Sequence, residues 1–309
     1  MSMIPPAEVL RTFPPSGLAK TELLAPKTIA EACDQLARAE VEGKSVVLLA
    51  GGTDWIVDRQ LTPPDKAAPV DRVLDLTRVE ELAQIGFREI DGQRRMVLGG
   101  GVTYWALRRD ARVLGTVPML GVMAKDVGAV QIQTRGTLAG NLATASPEAD
   151  GVAALMALDG FVTLASARGT RRVALLESFF TGPRQTVMKK DELIASVDVR
   201  IPKEGARVTW RKVGARLAQA ISKVALAAVV ETDAEGTVTE ARFGMASVGP
   251  VTAPLPNVRK ALLGAKLALL DRDVVDAALA KDITPTDDVR STGEYRLHVA
   301  KALVWRALR

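Results

Sequence analysis

Residues 134–150 read TRGTLAGNLATASPEAD. Gly136, Ala139 and Gly140 carry almost no side-chain bulk, while Thr137, Asn141 and Thr144 offer short hydrogen-bonding groups. Side chains this small bury little apolar area, so something else must come close to this backbone. A flat or phosphorylated ligand would satisfy the pattern, and so would a neighbouring helix packed through small residues. Further along, Pro147 stands at a first helical position behind Ser146, with Glu148 in the first turn. That spacing predicts a helix with Val152, Leu155 and Met156 on its apolar face, ended by Asp159-Gly160.

A second glycine stretch lies upstream, in SVVLLAGGTDW. A buried strand ends at Leu48, Leu49 and Ala50; Gly51 and Gly52 let the backbone approach a ligand, and a helix begins near Trp55. Thr53 adds a hydroxyl and Asp54 can cap that helix, whose free N–H groups would favour a phosphate. A tight strand-to-helix turn fits the same residues equally well. No G-x-x-x-x-G-K-[ST] loop occurs, and no G-x-G-x-x-G follows a strand. Two such stretches, each beside an expected helix start, favour one ligand shared between them.

Working outward, the pattern predicts a helix over 28–40 with a capping box at Thr28 and Glu31, then a strand at RVLDL after the Pro-rich LTPPDKAAPVD. A hairpin is expected around Asp91-Gly92, a helix capped by Thr103, and another helix near Leu120 to Val127. FVTLA and RRVALL form a further hairpin, ELIASVDVRIP a strand, and VALAAVV pairs with ARFGMASVG across Asp233–Gly236. The last helix is expected to start at Ser291 with Glu294 in capping-box spacing. Interleaved hairpins and helices argue an α+β fold and not a doubly wound parallel sheet.

Composition excludes several classes. Of 309 residues, 48% are hydrophobic and 25% charged, enough for one large core or several smaller ones. The net charge of +5 is spread along the chain, aromatics are only 4%, and nucleic acid is not an expected partner. Cys33 and His298 are single residues of their types, so no intrachain disulfide and no Cys/His metal or iron–sulfur site can form. Cys33 shares a helical face with Ile29 and Leu36 and reads as core; His298 reads as a packing or surface residue. The N-terminal MSMIPPAEVLRTFPPSG has no apolar signal region, and no run approaches the roughly 20 residues of a membrane helix. A cytoplasmic protein is expected.

AGGTD after a strand, then RGTLAGNLATASPEAD, resemble the two flavin-contact motifs of the FAD-binding subunit in the xanthine dehydrogenase / carbon monoxide dehydrogenase family. LLAPKTIAEACDQLA, VLDLTRVEELAQI, LGGGVTYWAL, WRKVGARLAQAISKVALAAVV and DDVRSTGEYRLHVAKALVWRAL resemble further segments in the family's order, covering nearly the whole chain. Residues 1–19 read as a loosely ordered arm, and the resemblance implies a two-subdomain, PCMH-like FAD-binding domain over 20–203, with subdomains of about 20–77 and 78–203. A smaller α+β domain follows over 204–309. It also implies non-covalent FAD, since neither motif holds a His or Cys to form the usual flavin link. Leu48 to Trp55 would line the pyrophosphate, with the amides of Gly51, Gly52, Thr53 and Asp54 as donors. Thr137, Ala139, Gly140, Asn141 and Thr144 would hold the other side, with Asp150, Ile194 and Lys212 near the isoalloxazine and ribityl region. A lysine there favours the anionic reduced flavin.

By the same resemblance, molybdopterin sits in a large partner subunit and [2Fe–2S] clusters in a small one. Electrons would leave for NAD⁺, a quinone or another acceptor. Three departures stand out: Ala139-Gly140 in place of Gly-Gly, Ile132-Gln133-Thr134 in place of Ile-Arg-Asn, and Gln219-Ala220-Ile221 in place of Gln-Asp-Ile. The first adds only one methyl group; the other two bear more on acceptor chemistry than on FAD binding. Two alternatives remain, a scaffold subunit with weakened or lost FAD and a self-contained flavin oxidase. Intact GGTD and AGN argue against the first, and the absence of any substrate-domain segment against the second.

Overall fold

The computed structural model describes residues 18, 20–63 and 65–309; apart from residue 18, the expected N-terminal arm lies outside them. The chain opens with a small parallel sheet. Strand β1 (Glu22–Leu24), helix α1 (Ile29–Val41), strand β2 (Val46–Leu49), helix α2 (Trp55–Leu61) and strand β3 (Arg72–Asp75) give the order β1-β3-β2. Thr28 caps α1 by accepting from the Glu31 N–H at 3.1 Å, and Cys33 is buried at 3% exposure beneath the sheet. The cysteine is therefore a core residue, with its thiol pKa raised by burial first and by Asp34 and Asp191 next.

An antiparallel five-stranded sheet follows, in the order β4 (Ile85–Ile90), β5 (Gln93–Gly99), β10 (Leu193–Arg200), β6 (Phe161–Ser166) and β7 (Gly169–Ala174). A short hairpin of β8 (Phe180–Gly182) and β9 (Gln185–Thr186) lies between β7 and β10. The expected Asp91-Gly92 turn is present, with both residues at positive φ. Helices α3 (Tyr104–Arg109), α4 (Ala111–Thr116), α5 (Pro118–Lys125), α6 (Val130–Gln133), α7 (Leu138–Thr144) and α8 (Asp150–Ala157) connect β5 to β6. Their apolar residues form one core with the sheet.

The C-terminal part folds as β11 (Arg207–Gly214), β12 (Ser222–Thr232) and β13 (Val238–Ala246), then α9 (Pro256–Leu262), α10 (Arg272–Asp282) and α11 (Gly293–Ala307). Strand β12 explains its own unbroken apolar run. Val224, Leu226, Ala228 and Val230 face the C-terminal helices, whereas Ala225, Ala227 and Val229 join the core around α8. A strand buried on both faces loses the polar half of its alternation. All eight residues of α8 are buried, as a helix covered on every side must be.

Two expected helix starts shift. The helix after the second glycine stretch begins at Asp150 and not at Pro147. Ala145 closes α7 at φ 49°, and Ser146 to Glu148 form a local turn in which Ser146 Oγ donates to Glu148 at 2.7 Å. The final helix is capped by Thr292, which accepts from the Tyr295 N–H at 3.2 Å. Ser291 instead donates its amide to Asp288 at 3.0 Å.

Candidate functional site

The two glycine stretches meet face to face. A Cβ on Gly51 would lie 2.1 Å from the carbonyl oxygen of Arg135 and 2.9 Å from Gly136 Cα, so this glycine is demanded by backbone against backbone. Gly52 has φ +73°, a conformation that side chains rarely adopt. The amides from Gly51 to Asp54 donate to no protein acceptor among the described residues. Asp54, expected as a helix cap, makes no capping bond; its carboxylate accepts from Thr144 Oγ at 2.7 Å. That bond ties the first stretch to the second, so side-chain capping gives way to a tertiary contact.

In the second stretch Thr137 caps α7, accepting from the Gly140 N–H at 2.9 Å. A Cβ on Gly140 would meet only that Thr137 hydroxyl, at 2.9 Å, and otherwise point into open space. The space is a cleft of two adjoining cavities of about 310 and 280 Å³. The first is lined by Leu48 to Trp55 with Thr137, Gly140, Asn141 and Thr144. The second shares Thr53, Asp54, Asn141 and Thr144 and adds Asp150 and Lys212. Ala139 and Ile194 line neither: both are buried in the main core, at 5% and 7% exposure, and the Ile194 carbonyl packs where a Cβ on Gly100 would be. A larger cavity of about 540 Å³ lies in the C-terminal part, by Trp305 and Lys266, and includes no residue of either stretch.

At the far end of the cleft the ammonium of Lys212, 7% exposed, donates to the Asp150 carboxylate and to the Asp126 carbonyl, the latter at 2.9 Å. Burial pushes the Asp150 carboxyl up to about 6; Lys212 pulls it back and Asp126 adds to the rise. Tyr104 is buried beside it, and its phenol is held well above the usual range by burial first, then by Asp150 and Asp54.

Two family models cover almost the entire chain. The FAD binding domain in molybdopterin dehydrogenase matches residues 19–204, and the CO dehydrogenase flavoprotein C-terminal domain matches 210–309. The chain belongs to the FAD-binding flavoproteins of the molybdopterin dehydrogenases. The nicotinate dehydrogenase FAD-subunit of Eubacterium barkeri is 30% identical over 251 residues, 80% of this chain and 81% of that protein. The carbon monoxide dehydrogenase medium chain of Hydrogenophaga pseudoflava is 28% identical over 290 residues, 93% of this chain and 95% of that one. Among solved structures, carbon monoxide dehydrogenase from the same organism superposes with a TM-score of 0.82 at 26% identity, covering 94% of this chain and 96% of that one.

The residues of this flavoprotein fit FAD. Free amides at Gly51 to Asp54 suit an anionic pyrophosphate, and Gly140 leaves open the space a side chain would fill. Asn141 Oδ1, Asp150 Oδ1 and Tyr104 OH are buried without a hydrogen-bond partner. Such orphaned groups cost free energy unless a ligand or water meets them. Sequence reasoning did not single out Tyr104, Val127, Ile132, Glu148, Arg184 or Arg290, which also line the cleft. Tyr104 carried a signal in its position directly behind the Thr103 cap, and Ile132 and Glu148 in lying beside or within the second stretch; Val127, Arg184 and Arg290 arrive from loops and distant segments.

The flavoprotein's three departures fall in different places. Ala139 faces the core, where a methyl group fills space and not the cleft. Gln133 is 2% exposed and turned inward, and the Thr134 hydroxyl donates to the Gln131 carbonyl at 3.1 Å. Ala220 alone borders the cleft, on the loop after β11. Among the described residues no helix is long and apolar enough to cross a membrane, and no group of three or more His, Cys, Asp or Glu residues could hold a metal.

Proposed function

We propose that this chain is the FAD-carrying electron-transfer subunit of a molybdenum hydroxylase complex. In that reading a molybdopterin-binding large subunit oxidises the substrate, and the chain stands between a [2Fe–2S] small subunit and a final acceptor, NAD or another. The observation that carries it is the row of unpaired amides from Gly51 to Asp54, which line the same cleft as Gly140. FAD, when bound, supplies the exchange between one-electron and two-electron carriers.

The chain's own residues bind and orient. The Gly51–Asp54 amides hold the pyrophosphate, and Thr137, Gly140, Asn141 and Thr144 close over its other side. Lys212 and Asp150 bracket the isoalloxazine end, where the ammonium opposes the charge gained on reduction. The functional divisions follow as 20–203 for the cofactor, with subdomains of about 20–77 and 78–203, and 204–309 for the part that supplies Lys212. The location is cytoplasmic and the cofactor non-covalent.

The full chain precipitated in acid should release all its flavin to the supernatant; flavin left on the pellet refutes non-covalent binding. In oxidisable substrate the isolated chain should stay yellow, and it should bleach once the molybdopterin and [2Fe–2S] subunits are added. Substrate turnover by the chain free of molybdenum and iron overturns the reading.

A further inference from the structure

Gln133 stands where the resembling family carries arginine, and both amide hydrogens and the carbonyl oxygen are bonded. Nε2 donates to the carbonyls of Lys125 at 3.0 Å and Val127 at 2.8 Å, while Oε1 accepts from the Arg108 guanidinium. These bonds grip the backbone on both sides of Asp126. Asp126 faces the other way: its carboxylate accepts from Trp210 Nε1 at 2.9 Å and its carbonyl from Lys212 Nζ at 2.9 Å. Lys212 in turn reaches Asp150 at the cleft.

We infer that Gln133 is a positioning residue, which sets the Lys212 ammonium through the Asp126 backbone. The loop at 126–129 lies outside any helix or strand, and beyond the Asp126 amide's bond to the Met123 carbonyl at 2.9 Å and the Trp210 bond to its carboxylate it needs a further hold to fix the carbonyl direction. A buried amide with all three bonds made supplies it. An arginine at this position would offer donors only and could not accept from Arg108, so Arg108 and Gln133 work as a pair. The proposal rests on the reading that Lys212 faces the flavin.

The test uses the full flavin-loaded chain with Gln133→Leu, Lys212→Met and the double variant. Gln133→Glu, which keeps a partner for Arg108 and loses the two donated bonds, is read in parallel so that the outcome does not hang on one variant folding. Two quantities are measured. One is the indole N–H resonance of Trp210, assigned by its loss in Trp210→Phe; it reports on Asp126 whatever the flavin does. The other is the ratio of dissociation constants for reduced and oxidised FAD. Both Gln133 variants should shift the indole resonance, whereas Thr134→Ala should not. They should weaken reduced FAD relative to oxidised by about tenfold, as expected when a cation withdraws from a developing charge, and this change should vanish in the Lys212→Met background. An unmoved indole resonance overturns the proposal, and so does a flavin effect that persists without Lys212. If Lys212→Met alone leaves the ratio unchanged, the placement of the flavin beside Lys212 fails, and the Gln133–Asp126 linkage stands or falls on the indole resonance.

Discussion

Two faces of this molecule are built from small residues, with opposite results. Where α8 meets the C-terminal sheet, Ala153, Ala154 and Ala157 oppose Ala225, Ala227 and Gly244, and a Cβ on Gly244 would lie 2.1 Å from the Ala153 carbonyl oxygen. Protein fills that space completely. Where the glycine stretches meet, Gly51 is packed as tightly, yet Gly140 opens on a cleft edged by free amides. Small side chains permit close approach without saying what approaches. The run of consecutive amides from Gly51 to Asp54 with no protein acceptor does say it, because a ligand site leaves donors for the ligand.

Substitutions that add the same bulk to each face should separate them. Gly244→Val should cost the most, at least about 3 kcal/mol, because the obstacle is backbone that cannot turn aside. Thermal unfolding would read it as a fall in Tm or the loss of soluble protein, and an unchanged Tm would mean that the sheet does not press on α8. Gly140→Val should leave Tm of the flavin-free chain within a few degrees and weaken FAD by on the order of 100-fold, nearly 3 kcal/mol. Titration with free FAD measures it, and stoichiometric flavin in the purified variant would move the cofactor out of this cleft.

A smaller effect is expected from Asp150, whose folded carboxyl titrates at about 6 against 3.8 when unpaired and exposed. Because the folded value is raised, the stability it contributes is complete below pH 3.8 and is lost as pH rises through 6. Asp150→Asn should remove that loss, so the Tm difference between the variant and the parent flavin-free chain should shift in the variant's favour from pH 4 to pH 7. The shift should correspond to roughly 2 kcal/mol. A pH-independent difference would show that Lys212 holds the carboxylate ionised throughout. Thr144→Val should matter least, removing the 2.7 Å bond to Asp54 for about 1 kcal/mol. Flavin affinity should fall severalfold with it, and no fall would mark that bond as structural only.

Much of this was legible along the chain. Strands, hairpins and most helices declared themselves because apolar period, capping residues and turn glycines act over a few positions, as at Thr28, Asp91-Gly92 and Thr103. The pairing of GGTD with RGTLAGN was legible through resemblance. Helix starts at Pro147 and Ser291 misled because a local signal competes with neighbours far away in sequence: Asp150 is held by Lys212, and the Asp288 turn takes the Ser291 amide.

By itself the sequence determined an α+β chain, a core cysteine and two backbone segments suited to close approach, since residue size, period and glycine content are local properties. The tertiary structure alone decided which glycines meet protein and which meet the cleft. It also decided that Ala139 and Gln133 face inward while Ala220 faces the cleft, and that Tyr104 joins the site. The physical reason is that burial and hydrogen-bond satisfaction belong to pairs of surfaces, and Gly51 and Arg135 become neighbours only when the chain is folded.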